Sequence, residues 1–127
     1  MKLRIRENTL RFRLSRSEVE SFGETGSIEA WVRFDLTGQN DLCYKIEKAA
    51  GDEFAGTFSD GKITIFVPKK IADAWVGSSD VSIEGSQKLE GQTELSFLIE
   101  KDFVCLNAHD DLDQSDRFPH PKGPDAC

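Results

Sequence analysis

The chain carries Leu42-Cys43-Tyr44-Lys45-Ile46-Glu47-Lys48 and, 53 residues later, Leu95-Ser96-Phe97-Leu98-Ile99-Glu100-Lys101. The same shift, applied without a gap, matches apolar positions upstream: Phe12 with Ile65, Leu14 with Val67, Phe22 with Trp75, and Ile28 with Val81. A match at a fixed period indicates one supersecondary unit used twice. We therefore interpret residues 2–48 and 54–101 as two copies of one unit.

Each copy begins with two short stretches in which apolar and polar residues alternate, the pattern of half-buried strands. In the second copy, Asp60-Gly61 separates the two stretches and is a strong signal for a two-residue hairpin turn. Glu7-Asn8 stands at the same place in the first copy. These turns predict the following cross-strand neighbours: Lys2 and Arg13, Leu3 and Phe12, Arg4 and Arg11, Ile5 and Leu10, and Phe58 and Ile63.

A short helix is expected after each hairpin. Ser15 and Glu18 have the spacing of a capping box, and Pro68 suits a first helical turn. The helix positions expected to be buried are Val19, Phe22, Ile71, Ala72 and Trp75. Two further strands complete each copy, at 28–34 and 42–48 in the first and at 81–84 and 95–101 in the second.

Each copy thus has the order ββαββ, which predicts a mixed α+β fold that is mostly β and forms a single domain over residues 1–127. Two strand-rich halves can bury their apolar faces against each other in a small barrel or barrel-like sheet, because closure removes exposed strand edges. An open two-layer α+β sheet is the alternative. Residues 102–127 have no counterpart in the first copy, and we expect them to form an irregular C-terminal tail, called the tail below.

Composition narrows the classes of function. The chain of 127 residues has a net charge of −7, which argues against general nucleic-acid binding. It has no apolar run of membrane-spanning length, and its first residues alternate charge with apolar side chains, unlike a signal peptide. Three cysteines are an odd number. We therefore expect a cytoplasmic protein with reduced thiols and no membrane partner.

The charge is unevenly distributed. Residues 1–16 hold six cations and one anion, so the remaining 111 residues carry a net charge of −12. The predicted register places five cations on one side of the first hairpin as candidate anion-binding residues: Lys2, Arg4, Arg6, Arg11 and Arg13. Three interpretations compete for this side. Acids such as Glu29 and Glu47 interleave with the cations, or the acidic tail docks across them, or they bind a phosphate, a nucleic acid or an acidic protein.

The tail concentrates residues that can carry chemistry. Two thiols and two imidazoles form the ligand set of a structural zinc site, with these candidate ligands: Cys105, His109, His120 and Cys127. Their spacing matches no standard zinc motif, and the alternative is that the histidines are solvated, Cys105 continues the core and Cys127 is frayed. A disulfide between Cys105 and Cys127 would instead join the two ends of this segment and hold the tail in a closed loop.

Two further hypotheses concern the tail. Cys105 or Ser115 could act as a nucleophile with His109 or His120 as base, but no oxyanion loop accompanies them. The acidic run lacks the glycine and the final glutamate of a calcium loop, which favours a solvated loop: Asp110, Asp111, Asp113 and Asp116. Cys43 is expected to be an ordinary core residue, since Ser96 occupies its repeat position.

The segment from Gly61 to Glu84 resembles half of a cradle-loop barrel, the swapped-hairpin fold of bacterial transition-state regulators and antitoxins. Those proteins bind DNA as dimers through basic loops, and because this chain is acidic we do not expect it to share that activity. Nearly the whole chain resembles a family of small uncharacterised bacterial proteins. The stretches that carry this resemblance are Lys2–Leu14, Ser17–Glu20, Glu100–Leu106, Asp113–Asp116, Phe118–Pro121 and Cys127. In that family the position of His120 is usually asparagine, and the resemblance implies no established activity.

These patterns predict a non-enzymatic binding or interaction module centred on the tail and the basic hairpin, with a protein or a small anionic ligand as partner. A zinc-type metal-binding protein that uses the tail cysteines and histidines is the alternative. A thiol-dependent enzyme is the third hypothesis.

Overall fold

The computed structural model describes residues 1–103, and within them the chain is mostly β. Eight strands and two helices follow one another in this order: β1 (Lys2–Arg6), β2 (Thr9–Leu14), α1 (Arg16–Thr25), β3 (Ser27–Val32), β4 (Leu42–Ala49), β5 (Ala55–Ser59), β6 (Lys62–Pro68), α2 (Lys69–Val76), β7 (Ser82–Lys88) and β8 (Glu94–Lys101). The predicted mixed α+β class is confirmed. β7 is longer than the segment predicted for it, and β3 starts and ends earlier than predicted. No helix in residues 1–103 combines the length and hydropathy needed to cross a membrane.

The strands form two four-stranded sheets. Sheet I has the order β1-β2-β8-β7, and sheet II has the order β3-β4-β6-β5. The two central pairs, β2 with β8 and β4 with β6, are parallel, and the other pairs are antiparallel. Each sheet therefore combines the N-terminal hairpin of one half of the chain with the last two strands of the other half. Each half thus completes its sheets only with the other.

The strand registers of the two halves can be compared directly. In the parallel pairs, Thr9 lies opposite Ser96 and Lys62 lies opposite Cys43, so a shift of 53 residues converts one register into the other. The last two strands depart from this offset by two residues, because Glu47 faces Ser27 whereas Glu100 faces Ser82. Duplication of one unit and closure of a barrel both stay predictions.

Both predicted hairpin registers are confirmed. Arg4 lies opposite Arg11 in the first hairpin, and Phe58 lies opposite Ile63 in the second. The turns need left-handed backbone: φ is 52° at Asp60 and 72° at the glycine that follows, and Glu7 in the first turn has a φ of 50°. Short turns of this kind fix the register of the strands that they join.

One apolar core lies between the sheets and the helices. Its buried members are Leu10, Phe12, Leu14, Val19, Phe22, Ile46, Ile63, Ile65, Val67, Ala72, Trp75, Phe97 and Ile99. The rings of Phe22 and Trp75, one from each helix, meet edge to face with centroids 6.4 Å apart. The expected burial of Ile71 was wrong: its exposed fraction is 37%, because Ala72 and Trp75 already form the inward stripe of this two-turn helix. Phe58 faces Ile63 as predicted but is 70% exposed.

Glu47-Lys48 and Glu100-Lys101 end the two matching stretches of sequence, and the lysine of each contacts the end of a helix. Lys48 donates to the carbonyl oxygen of Gly23 at 3.0 Å near the end of α1, and its ammonium lies 5.7 Å from the Phe22 ring centroid. Lys101 donates to the carbonyl oxygen of Trp75 at 3.0 Å near the end of α2 and lies 5.4 Å from the same residue's ring. A cation at a helix C-terminus donates hydrogen bonds to carbonyls that have no partner within the helix, and it interacts favourably with the negative end of the helix dipole. Each half thus fixes its helix to its last strand in the same way.

Candidate functional site: the basic face of the first hairpin

The outward side of β1 and β2 carries five cations, which we call the basic face: Lys2, Arg4, Arg6, Arg11 and Arg13. Alternation along β2 places Leu10, Phe12 and Leu14 in the core, so the two arginines between them point away from it. The three cations of β1 are exposed, Arg11 is partly buried and Arg13 is only 6% exposed. The structure therefore brings the five predicted residues together on one side of a sheet.

Among residues 1–103, the carboxylate of Glu100 bridges the two arginines of β2. Glu100 Oε1 accepts from Arg11 Nε at 2.5 Å and from Arg13 Nη2 at 2.8 Å. Glu100 lies beside Arg13 across the parallel β2–β8 pair and is 5% exposed. Charge-assisted hydrogen bonds of this kind are stronger than neutral ones and hold both guanidinium groups in place. At the edge, Lys2 Nζ lies 3.4 Å from Asp102 Oδ2.

The prediction that Glu29 and Glu47 interleave with these cations was wrong. Glu29 and Glu47 belong to β3 and β4 in sheet II, where Glu47 pairs with Lys45 at 3.0 Å and raises the pKa of that lysine through the hydrogen bond. Glu100, the residue 53 positions after Glu47, takes the predicted role. The reason is long-range pairing, since β2 lies beside β8 of the other half and not beside β4.

The basic face contains a small cavity. Its volume is about 190 Å³, and its lining residues are Lys2, Leu3, Arg4, Arg11 and Arg13. Four cations line the cavity, and among residues 1–103 two acids pair with members of this set, Glu100 and Asp102. Guanidinium groups present fixed forks of N–H donors that match phosphate and carboxylate oxygens. The cavity can therefore accept a compact oxyanion.

The other predicted site lies outside the described residues. All four candidate metal ligands belong to residues 104–127: Cys105, His109, His120 and Cys127. The same holds for Ser115, for the aspartate run and for a disulfide between the two tail cysteines. Within residues 1–103 no three His, Cys, Asp or Glu side chains are grouped as metal ligands would be. Zinc binding and thiol chemistry stay predictions.

Cys43 is buried as expected, but it is not part of the core cluster. It is 1% exposed and lies on the outward side of β4, where its Sγ is 3.8 Å from Glu29 Oε2. Burial, and then the negative charge of Glu29, raise the pKa of the thiol above its ordinary value of 9.0. A protonated, covered thiol is a weak nucleophile.

A second pocket was not predicted from the sequence. It is an apolar cavity of about 430 Å³ between the two hairpins, lined by Ile5, Leu10, Leu42, Gly56, Thr57, Phe58, Ile63, Ile65 and Leu95. Six of these residues form three pairs that are 53 positions apart: Ile5 and Phe58, Leu10 and Ile63, Leu42 and Leu95. The offset could have pointed to them, because residues that are 53 positions apart meet where the two halves of the chain face each other.

Comparison with known proteins gives a family. The model of a family of unknown function, DUF7009, matches residues 1–122. This chain belongs to that family. The match agrees with the predicted membership of an uncharacterised family and assigns no activity. Searches of curated proteins and of solved structures found no match for the DUF7009 chain.

Proposed function

We propose that this DUF7009 protein is a non-enzymatic binding module whose basic face recognises a compact oxyanion, the phosphate or carboxylate group of a small ligand. The cavity on the basic face carries this proposal, because four cations from β1 and β2 line it and one of them, Arg4, is exposed. Arg4 contributes an exposed guanidinium at the opening, and Arg11 is held in place by Glu100. A preorganised donor loses less conformational entropy on binding than a mobile one.

A small ligand fits the charges better than a nucleic acid. The cavity holds about 190 Å³, and the whole chain has a net charge of −7. A nucleic acid needs a basic surface that follows many phosphates, and the acidic remainder of the chain would repel it. A reducing cytoplasm is the setting that we propose for the module, on the grounds of its odd number of cysteines.

Titration calorimetry with inorganic phosphate tests this proposal, using the full chain at low salt in a buffer without other oxyanions. Arg4→Gln removes one exposed charged donor, and a lost charge-assisted hydrogen bond of about 1.5 kcal/mol weakens affinity roughly 10-fold. Arg16→Gln is the matched control, because Arg16 is 95% exposed on α1 and pairs with Glu20. Equal phosphate affinity in wild type, R4Q and R16Q, or no phosphate binding at all, would contradict the proposal. Acetate and citrate in the same assay distinguish carboxylate from phosphate recognition.

A further inference from the structure

The outward side of sheet I contains a buried ion pair. Arg13 and Glu100 point away from the core, because their neighbours Phe12 and Ile99 are fully buried in it. Yet the exposed fractions of Arg13 and Glu100 are only 6% and 5%. Charged side chains are rarely this buried unless they are paired and covered. This ion pair is therefore the most deeply buried charge on the outward side of sheet I.

The burial follows the middle of the sheet and not its edges. The outward residues of the edge strands are exposed: Lys2, Arg4 and Arg6 on β1, and Ser82, Glu84, Ser86 and Lys88 on β7. Those of the central strands, Arg11, Arg13, Ser96, Leu98 and Glu100, are partly or fully buried. Among residues 1–103, the elements that pack substantially on β2 and β8 are the strands of the same sheet and α1, whose buried residues belong to the core. The buried strip therefore consists of the outward residues of two neighbouring strands, β2 and β8.

The path of the chain after β8 leads to this strip. Asp102 donates its N–H to the carbonyl oxygen of Leu14 at 2.8 Å, so the backbone stays paired with β2 for one residue beyond β8. Its carboxylate then lies 3.4 Å from Lys2 on the outward side. Residues 104–127 begin beyond Phe103, from a central strand and beside the basic face.

The segment that follows has the charge and the length to occupy the strip. Residues 104–127 contain five aspartates against one arginine and one lysine, and four of the aspartates fall between positions 110 and 116. An extended chain spans roughly 3.3 Å per residue, so these 24 residues can run back along the eight residues of β8 more than once. Acids above exposed arginines also relieve the repulsion between the paired Arg4 and Arg11.

We propose that residues 104–127 dock across the outward side of sheet I, with their aspartates against the basic face. These residues then occupy the oxyanion cavity from within the chain, and an external phosphate or carboxylate competes with them. The competition rests on the function proposed above, whereas the docking does not.

A spin label on the tail tests the docking. Ser115→Cys, in full-length protein that also carries C105S and C127S, places a nitroxide among the aspartates, since Cys43 is 1% exposed. We expect the label to broaden the amide signals of Arg4 and Arg11 more than those of Thr57 and Thr64, which occupy equivalent positions on the outward side of sheet II. Equal broadening on the two sheets would overturn the docking.

Charge variants separate docking from competition. In the labelled protein, D110N/D111N/D113N/D116N should remove the selective broadening. The control E24Q/D52N/E53Q/D60N, which neutralises four exposed acids outside the first hairpin, should keep it. Without the label, the tail variant should bind inorganic phosphate at least 3-fold more tightly than the control. Phosphate binding that is equal in both variants, with no selective broadening, refutes the inference but leaves the proposed function standing. Selective broadening with no phosphate binding in any variant refutes the proposed function but leaves the docking standing.

Discussion

Glu100→Gln should destabilise the protein strongly, although Glu100 points away from the core. The side chains of Glu100 and Arg13 are 7% and 6% exposed and lie 2.8 Å apart. Breaking a buried ion pair by removing one partner typically costs 3–5 kcal/mol. Glutamine keeps one acceptor oxygen, so we expect a loss at the low end, about 3 kcal/mol. In a domain of this size that corresponds to a decrease in melting temperature of about 10 °C.

Glu47→Gln is the matched control, because Glu47 is the residue 53 positions earlier. Its side chain is 36% exposed and pairs with Lys45, so its replacement should cost about 0.5 kcal/mol. Urea unfolding followed by circular dichroism measures both free energies of unfolding. If E100Q unfolds within about 1 kcal/mol of wild type, or if E47Q is as harmful, the assigned role of the buried pair is wrong.

Three further predictions concern the scaffold. Lys101→Met removes the ammonium that binds the carbonyl of Trp75, and we expect a loss of about 1–2 kcal/mol in urea unfolding; an unchanged midpoint would contradict the helix-end role. Gly85→Ala places a methyl group against the ring of Phe54, and a cost of about 1–3 kcal/mol is expected, whereas a neutral result would show that the ring moves freely. Alkylation of Cys43, followed by mass spectrometry of its peptide, should stay slow at pH 8 and accelerate only above pH 9, because burial raises the pKa of the thiol from 9.0 and the thiolate is the reactive form; rapid modification at pH 7 would refute this.

The sequence predicted local structure well where turn chemistry determines it. Asp60-Gly61 placed the second hairpin, and its register was confirmed residue by residue. The capping box at Ser15 and Glu18 was confirmed at the start of α1. These features depend on a few adjacent residues, whose backbone preferences act in the unfolded and the folded chain alike.

Long-range pairing could not be read from the same pattern. Alternation shows that β2 has an outward side but not that β8 lies next to it. The sequence therefore predicted Glu29 and Glu47, and not Glu100, as the acids that interleave with the cations. The distance in sequence between Arg13 and Glu100 is 87 residues, which no local rule covers. The exposure of Ile71 has a similar cause, since the burial of a helix position depends on which neighbours reach it.

The apolar pocket could have been predicted from the 53-residue offset, because six of its lining residues form pairs at that spacing. Its three pairs of equivalent residues lie on separate strands of both sheets and meet only in the folded chain. A sequence offset of this kind therefore indicates more than the order of the strands. It also identifies the residues that face one another where the halves meet.

Amide chemical shifts of the full-length protein during a titration with inorganic phosphate test the central claim most directly. We predict saturable shifts concentrated in β1 and β2, at Lys2, Arg4 and Arg11, with shifts at the same amides reduced in R4Q and unchanged in R16Q. Shifts spread over both sheets, or shifts that do not saturate, would contradict a defined oxyanion site on the basic face.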